Sequence, residues 1–306
     1  MKNNYISFIG TSKITEHHIK AAKKCGFKIL SISSTRKDSK FLKKIAKKHK
    51  INKFFFSYKE CIKYSNQIKN LSYVITCKLS DNKKVLYEIL KYKKKLLIEK
   101  PIFTNHKNFK KLLKYHNYIF VGYNRIFYDV IKKIKQNIKY NKVSNVVCTA
   151  PEISRKFITI NSCHIISIIQ YIFGNLKIKN VRSFQNFINV NISGKKSEIH
   201  IFFNFKASEN FEIKIFNDNK LFKLSPIEKL TIYKGFNINY NNGNRSYIPK
   251  VIFKAKEGNK IFKKGFVNQY NAYKLFLEKN INPTDIFFAR KIVDICEKIN
   301  SKNYLL

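Results

Sequence analysis

The chain first offers chemistry near its amino terminus. An apolar run at 5–9 ends in Gly10, and the turn that follows reads Gly10-Thr11-Ser12-Lys13-Ile14-Thr15 before a helical stretch begins. A dinucleotide-binding turn needs glycine where the chain bends sharply and where backbone meets a pyrophosphate. Gly10 fits the first of those positions, Ser12 replaces the second glycine, and Thr15 is not the third. The motif is degenerate, but its setting between an apolar strand and a helix is the one the chemistry needs, because a helix start presents free N–H groups to a phosphate. Gly10, Thr11, Ser12, Lys13 and Ile14 are therefore the candidate phosphate contacts. The next strand ends in Ser33-Ser34-Thr35-Arg36-Lys37, with no acid in that run for the ribose hydroxyls of NAD. Ser34, Thr35 and Arg36 suit a 2′-phosphate instead, so the expected cofactor is NADP or NAD, with NADP slightly favoured.

Alternating elements must position these residues. Strand patterns at 5–9, 27–33, 53–56, 71–76, 95–98 and 118–121 are separated by helical stretches at 13–25, 40–48, 58–64, 82–92 and 105–115. Six such alternations with short connections predict a doubly wound parallel sheet with helices on both faces, a Rossmann-like α/β domain over 1–122. The rhythm then changes. A helix at 129–140, a strand at 143–148 and a helix at 161–173 lead into alternating segments from 178 to 252, and helices at 266–277 and 284–299 follow. That pattern predicts a second, α+β domain over 123–306 with a largely antiparallel open sheet. Its C-terminal helix is able to pack back on the first domain.

Composition narrows the function classes. At 44% hydrophobic and 15% aromatic the chain is too rich in core formers to be disordered. The six cysteines form no CxxC pair or Cys/His cluster, so no metal site is expected, and they read as reduced thiols in a cytoplasmic protein. No apolar run approaches 18 residues, so no membrane span is expected. The net charge of +44 raises nucleic acid as a partner. The cations are nearly all lysine, spread along the chain, whereas bidentate recognition of phosphate or guanine favours arginine. Solvated surface is the better reading, and no specific nucleic-acid partner is expected.

Three further segments carry a family likeness. Glu99-Lys100-Pro101 follows the fifth strand, Val121-Gly122-Tyr123-Asn124-Arg125 closes the sixth, and His164 lies within Asn161-Ser162-Cys163-His164-Ile165-Ile166. In order and spacing these resemble the glucose–fructose oxidoreductase/inositol dehydrogenase/rhizopine catabolism (Gfo/Idh/MocA) family. The likeness covers nearly the whole chain, firmest up to Arg125. It implies NAD(P)-dependent hydride transfer to or from a hydroxyl or keto carbon of a sugar, sugar nucleotide or cyclitol. It implies that Lys100 is the active-site lysine, reaching the nicotinamide ribose and the substrate hydroxyl, with Glu99 and Pro101 setting its turn. It implies that His164 is the acid/base, and that Tyr123, Asn124, Arg125 and Asn161 line the substrate side. Lys100 and His164 are then expected to converge beside the nicotinamide.

Departures accompany the likeness. Ile160 stands where the family often has an aspartate four residues before the histidine, Ser167 stands where another is common, and Lys83 or a neighbour replaces a histidine after the fourth strand. These keep open a non-catalytic nucleotide or sugar sensor of the same fold, with a basic nucleic-acid binder further behind. His17 and His18 read as surface or cofactor-edge residues. An open sheet needs cover on its outer face, so a homodimer or homotetramer through the second domain is expected.

Overall fold

The computed structural model describes residues 4–37, 39–241, 244–258 and 261–301. Contacts divide the chain into two units, 1–124 with 259–294 and 125–258 with 295–306.

The first unit is built on a six-stranded sheet of β1 (Tyr5–Ile9), β2 (Lys28–Ser33), β3 (Lys53–Phe55), β4 (Leu71–Ile75), β5 (Leu96–Glu99) and β6 (Ile119–Gly122). The strands lie in the order β3-β2-β1-β4-β5-β6, and every pairing is parallel. β4 and β6 are buried at every position, as strands covered on both faces must be. The helices between them are α1 (Lys13–Lys24), α2 (Lys40–Lys48), α3 (Tyr58–Ser65) and α4 (Leu79–Leu90). Between β5 and β6 the expected α-helix is instead a 3-10 segment, His106–Tyr118. Its two buried side chains, Phe109 and Leu112, are three residues apart, the spacing that a three-residue turn brings into line.

Helix α7 (Phe266–Lys279) belongs to this first unit, although the sequence pattern had left it with the second. Aromatic packing explains the return. Tyr270 and Tyr273 meet Phe27 at ring-centroid distances of 5.9 and 6.1 Å, and Tyr273 and Phe276 meet Phe120 at 5.5 and 5.9 Å. Large rings of this kind bury the most apolar area per residue and prefer such offset or edge-on contacts. The chain crosses between the units again within α8 (Ile286–Asn300).

The second unit opens with α5 (Asp129–Asn137) and β7 (Ser144–Glu152), then a π-helical turn (Ile158–Ser162) running into α6 (Cys163–Phe173). Seven more strands follow: β8 (Lys177–Ser183), β9 (Phe187–Gly194), β10 (Ser197–Phe205), β11 (Glu212–Asn217), β12 (Lys220–Leu224), β13 (Lys229–Asn241) and β14 (Asn244–Lys256). With β7 they form an eight-stranded sheet in the order β14-β13-β12-β11-β7-β10-β9-β8. Only the β7–β10 pair is parallel; the other six are antiparallel. β7 and β10 bury every second residue, the alternation of a sheet with one covered face. Past the bulges near Tyr233, the β13–β14 hairpin pairs Phe236 with Pro249, Ile238 with Tyr247 and Tyr240 with Arg245. These pairs share one face, and Phe236, Ile238, Tyr240 and Tyr247 are all exposed on it.

Candidate active site

In the first unit the order of strands reverses between β1 and β4, and open α/β sheets bind ligands beyond the carboxyl ends of the strands at such a point. A cleft of about 410 Å³ lies there. Seven of the expected cofactor contacts line it: Gly10, Thr11, Ser12, Lys13, Ser34, Thr35 and Arg36. Ile14, Glu99 and Lys100 do not. Gly10 is held at φ +129°, and a Cβ built there would come within 2.5 Å of the Thr76 carbonyl carbon. Only glycine therefore lets β1 turn this close to the end of β4.

Ser12 is the N-cap of α1, yet its side chain makes no cap bond; the hydroxyl donates instead to the Thr76 carbonyl at 3.2 Å. Thr15, where a third glycine would stand, is fully buried and shares a 2.8 Å hydrogen bond with the Thr76 hydroxyl. The turn has thus replaced close glycine packing with a hydroxyl contact between α1 and the end of β4. Cys77 also lines the cleft, and burial pushes its thiol up to about 12, so it is no nucleophile at neutral pH.

An acid does stand beside the end of β2, contributed by another element. Thr35 Oγ1 donates to Asp81 Oδ2 at 2.7 Å, from the first turn of α4. Burial alone would raise the Asp81 carboxyl, but hydrogen bonds from Lys84 and Thr35 and the charges of Lys84 and Arg36 outweigh it and hold the group below its usual range. Ser34 is nearly inaccessible, and its hydroxyl accepts the Arg36 backbone N–H at 3.0 Å.

The Lys100 turn is held from both sides. Lys100 itself is half-buried and follows directly on the carboxyl end of β5. Glu99 Oε1 lies 2.7 Å from His18 Nε2, and His18 Nδ1 lies 3.0 Å from the Tyr270 hydroxyl. His18 is fully buried, which corrects its reading as a surface or cofactor-edge residue. Thr15, His18, Ile19 and Ala22 occupy the inward face of α1 at the i, i+3, i+4, i+7 spacing, while His17 falls beside that face and stays half-buried. On the other side, the buried Asn82 amide donates to the carbonyls of Pro101 and Ile102, both at 3.4 Å. Asn82, the neighbour of Lys83, is the residue after β4 whose side chain bonds this turn.

The substrate-side residues divide differently. Tyr123 is 1% exposed, with its ring edge-on to Phe288. Asn124 is also buried, and its amide donates to the Lys264 carbonyl at 3.0 Å. In the second unit, the Arg125 guanidinium lies over the Phe211 ring at 5.7 Å. His164 is 6% exposed in the first turn of α6. The Asn161 amide donates to Glu152 Oε2 at 3.3 Å, and the Ser162 hydroxyl donates to Glu152 Oε1. Glu152, at the end of β7 and buried, escaped the sequence reading; it brings a carboxylate to the start of α6, where Ile160 supplies none. Among the described residues no group of three or more His, Cys, Asp or Glu is arranged to hold a metal, and no helix is long and apolar enough to cross a membrane.

No protein-family model matches the chain, and no curated protein matches it. Solved structures do. A dehydrogenase (MviM) from Clostridium difficile superposes with a TM-score of 0.77 over 97% of this chain and 99% of its own, at 17% identity. An oxidoreductase from Agrobacterium radiobacter, solved with NAD+, L-tartaric acid and magnesium, gives 0.77 over 98% and 97% at 11% identity. UDP-N-acetylglucosamine 3-dehydrogenase GnnA from Acidithiobacillus ferrooxidans gives 0.75 over 98% and 97% at 12% identity. At these identities the likeness is one of fold, and it extends over both units.

Proposed function

We propose that this chain is an NAD(P)-dependent oxidoreductase of the Gfo/Idh/MocA type. In this reading it moves hydride to or from a hydroxyl or keto carbon of a sugar, sugar nucleotide or cyclitol. The observation that carries the proposal is the cleft at the β1/β4 reversal, which gathers the Gly10 turn and the end of β2, with Lys100 leaving the same edge of the sheet one strand away. The residues present fit a dinucleotide. Gly10 leaves no Cβ in the turn, the Ser12 side chain leaves the start of α1 uncapped, and Lys13 and Arg36 supply positive charge. The full-length likeness to dehydrogenases, one of them solved with NAD+, supports the same reading.

A bound nicotinamide would accept or return the hydride. The chain's own residues handle the proton. As hydride leaves the carbon, the hydroxyl proton passes to His164, and the Lys100 ammonium stabilises the oxygen while it carries negative charge. In the reverse direction His164 returns the proton to the carbonyl oxygen. Glu99 sets the lysine and contacts the cofactor side, and Ile14, at the start of α1, is a further proposed cofactor contact. Arg125 and Asn161 remain proposed substrate contacts, as do Tyr123 and Asn124 at the turn after β6, both of which are buried as His164 is. Arg36 favours NADP and Asp81 opposes it, so a modest preference is expected. The exposed apolar face of the β13–β14 hairpin supports self-association through the second unit as a homodimer or homotetramer. Such a protein would work in the cytoplasm.

The test is an absorbance assay at the reduced-nicotinamide band, with NAD+ or NADP+ and a panel of aldoses, uridine-diphosphate sugars and inositols. Turnover with one class is expected. Dinucleotide binding with no turnover on any of them would favour the sensor reading.

A further inference from the structure

We infer that His18 and Tyr270 form a positioning relay that fixes Lys100 through Glu99, a role that rests on the proposed chemistry of Lys100 but is readable independently of it. The relay runs through three elements of the first unit: α7 supplies Tyr270, α1 supplies His18, and β5 supplies Glu99. A carboxylate only accepts hydrogen bonds, so the 2.7 Å contact requires the hydrogen to sit on His18 Nε2. Complete burial pushes the Tyr270 hydroxyl well above its usual range, so it keeps its proton and donates it to His18 Nδ1 across 3.0 Å. Each member thereby fixes the next, and the imidazole has one tautomer and one orientation. The His18 ring is further held edge-on to Phe266 at 4.7 Å.

Gly122 completes the enclosure. It pairs with Glu99 across β5 and β6, and a Cβ built there would stand 3.1 Å from Glu99 Oε1. The Glu99 carboxylate is thus confined by the imidazole on one side and the Gly122 backbone on the other. Glu99, before Lys100, is held by His18 and by its pairing with Gly122, and after Lys100 Asn82 ties down the carbonyls of Pro101 and Ile102. A long lysine stem samples many rotamers. Holding the residues that flank it limits where its ammonium can reach, and small misplacements of a reacting group are expensive in rate.

The decisive experiment follows Lys100 directly. The full chain is reductively methylated with carbon-13, and the Lys100 resonance is identified as the one absent from Lys100→Arg. NAD+ and NADP+ are then titrated into wild type, His18→Leu, His18→Gln and Tyr270→Phe, with melting curves taken for each. In wild type the Lys100 signal is expected to stand apart from the surface lysines and to move on adding dinucleotide. In His18→Leu it is expected to fall back among the surface lysines and lose that response, while dinucleotide affinity changes by less than about 3-fold. His18→Gln, whose amide can donate to Glu99, is expected to restore the signal, and Tyr270→Phe to weaken it partially. A Lys100 signal unchanged in a folded His18→Leu variant overturns the relay, as does an unchanged signal in Tyr270→Phe should His18→Leu fail to fold. Absence of dinucleotide binding in wild type would refute the cofactor reading, and the resting position of the Lys100 signal would still decide the relay.

Discussion

The two units treat their polar residues in opposite ways. In the first, parallel strands end on one edge, and the side chains just beyond β1 and β2 line a common cleft. In the second, Asn161 and Ser162, the polar residues next to His164 in sequence, are hydrogen-bonded to the buried Glu152. A parallel α/β sheet gathers loop residues at its carboxyl edge by topology alone, so a degenerate motif there can still be placed. A mostly antiparallel sheet with one covered face gives no such convergence. Its candidate residues depend on local hydrogen bonds that a single sequence does not reveal.

The sharpest way to break this contrast is at Lys100. Lys100→Ala is expected to lower turnover by about 10²–10⁴-fold, the worth of a positioned proton-transfer group, with dinucleotide binding retained in calorimetry. Unchanged turnover would leave the first unit as a binding fold only. Next in size is Gly10→Ala. Forcing a side chain to φ +129° against the Thr76 carbonyl should destabilise the first unit by about 1–3 kcal/mol and weaken dinucleotide binding with it. A denaturant melt and a binding titration on the same variant check both, and a neutral result would mean the turn relaxes.

The second unit is probed by Glu152→Ala. Leaving the Ser162 and Asn161 donors without their acceptor should cost about 1–3 kcal/mol in a denaturant melt. A stable variant that loses turnover would instead give Glu152 a role in the chemistry. Comparable in size is Arg36→Ala, which should weaken NADP by on the order of 1.5–3 kcal/mol while leaving NAD nearly unaffected. Asp81→Asn should do the reverse and raise NADP affinity. Equal effects on both cofactors would remove the 2′-phosphate assignment.

The smallest expected effect concerns pH. Burial holds the His49 imidazole below its ordinary 6.5, so the unfolded chain takes up that proton first. Stability from this group is therefore present above pH 6.5 and is lost as pH falls from there through the lowered folded value. His49→Gln should flatten that part of the stability–pH curve, by less than about 1 kcal/mol over each pH unit. An identical slope in the variant would assign the pH dependence elsewhere.

Much of this was legible beforehand, for physical reasons. The five-residue run before Gly10 and the runs at β4 and β6 are apolar because both faces of those strands are covered, and that fixed the parallel sheet. The burial of His18 was also readable, since Thr15, Ile19 and Ala22 mark its face of α1 at helical spacing. Two adjacent histidines drew attention to the pair when the period separates them. Asn82 lies on the same face as Val85, Leu86 and Ile89 of α4 and could have been found in the same way. Glu152 and Asp81 were not legible. Each meets its partners across a gap in sequence, ten residues for Ser162 and 46 for Thr35, and no local pattern announces either contact. The return of α7 to the first unit was likewise hidden, because its aromatic face does not say which sheet it covers.

The central claim is that a nicotinamide dinucleotide binds at the Gly10 turn. Isothermal calorimetry of the full chain with the oxidised and reduced forms of NAD and NADP tests it most directly, with Gly10→Ala as the control. Submillimolar binding of at least one dinucleotide, weakened in the control, is the predicted result. No detectable binding of any of the four, or binding equally tight in Gly10→Ala, would contradict it.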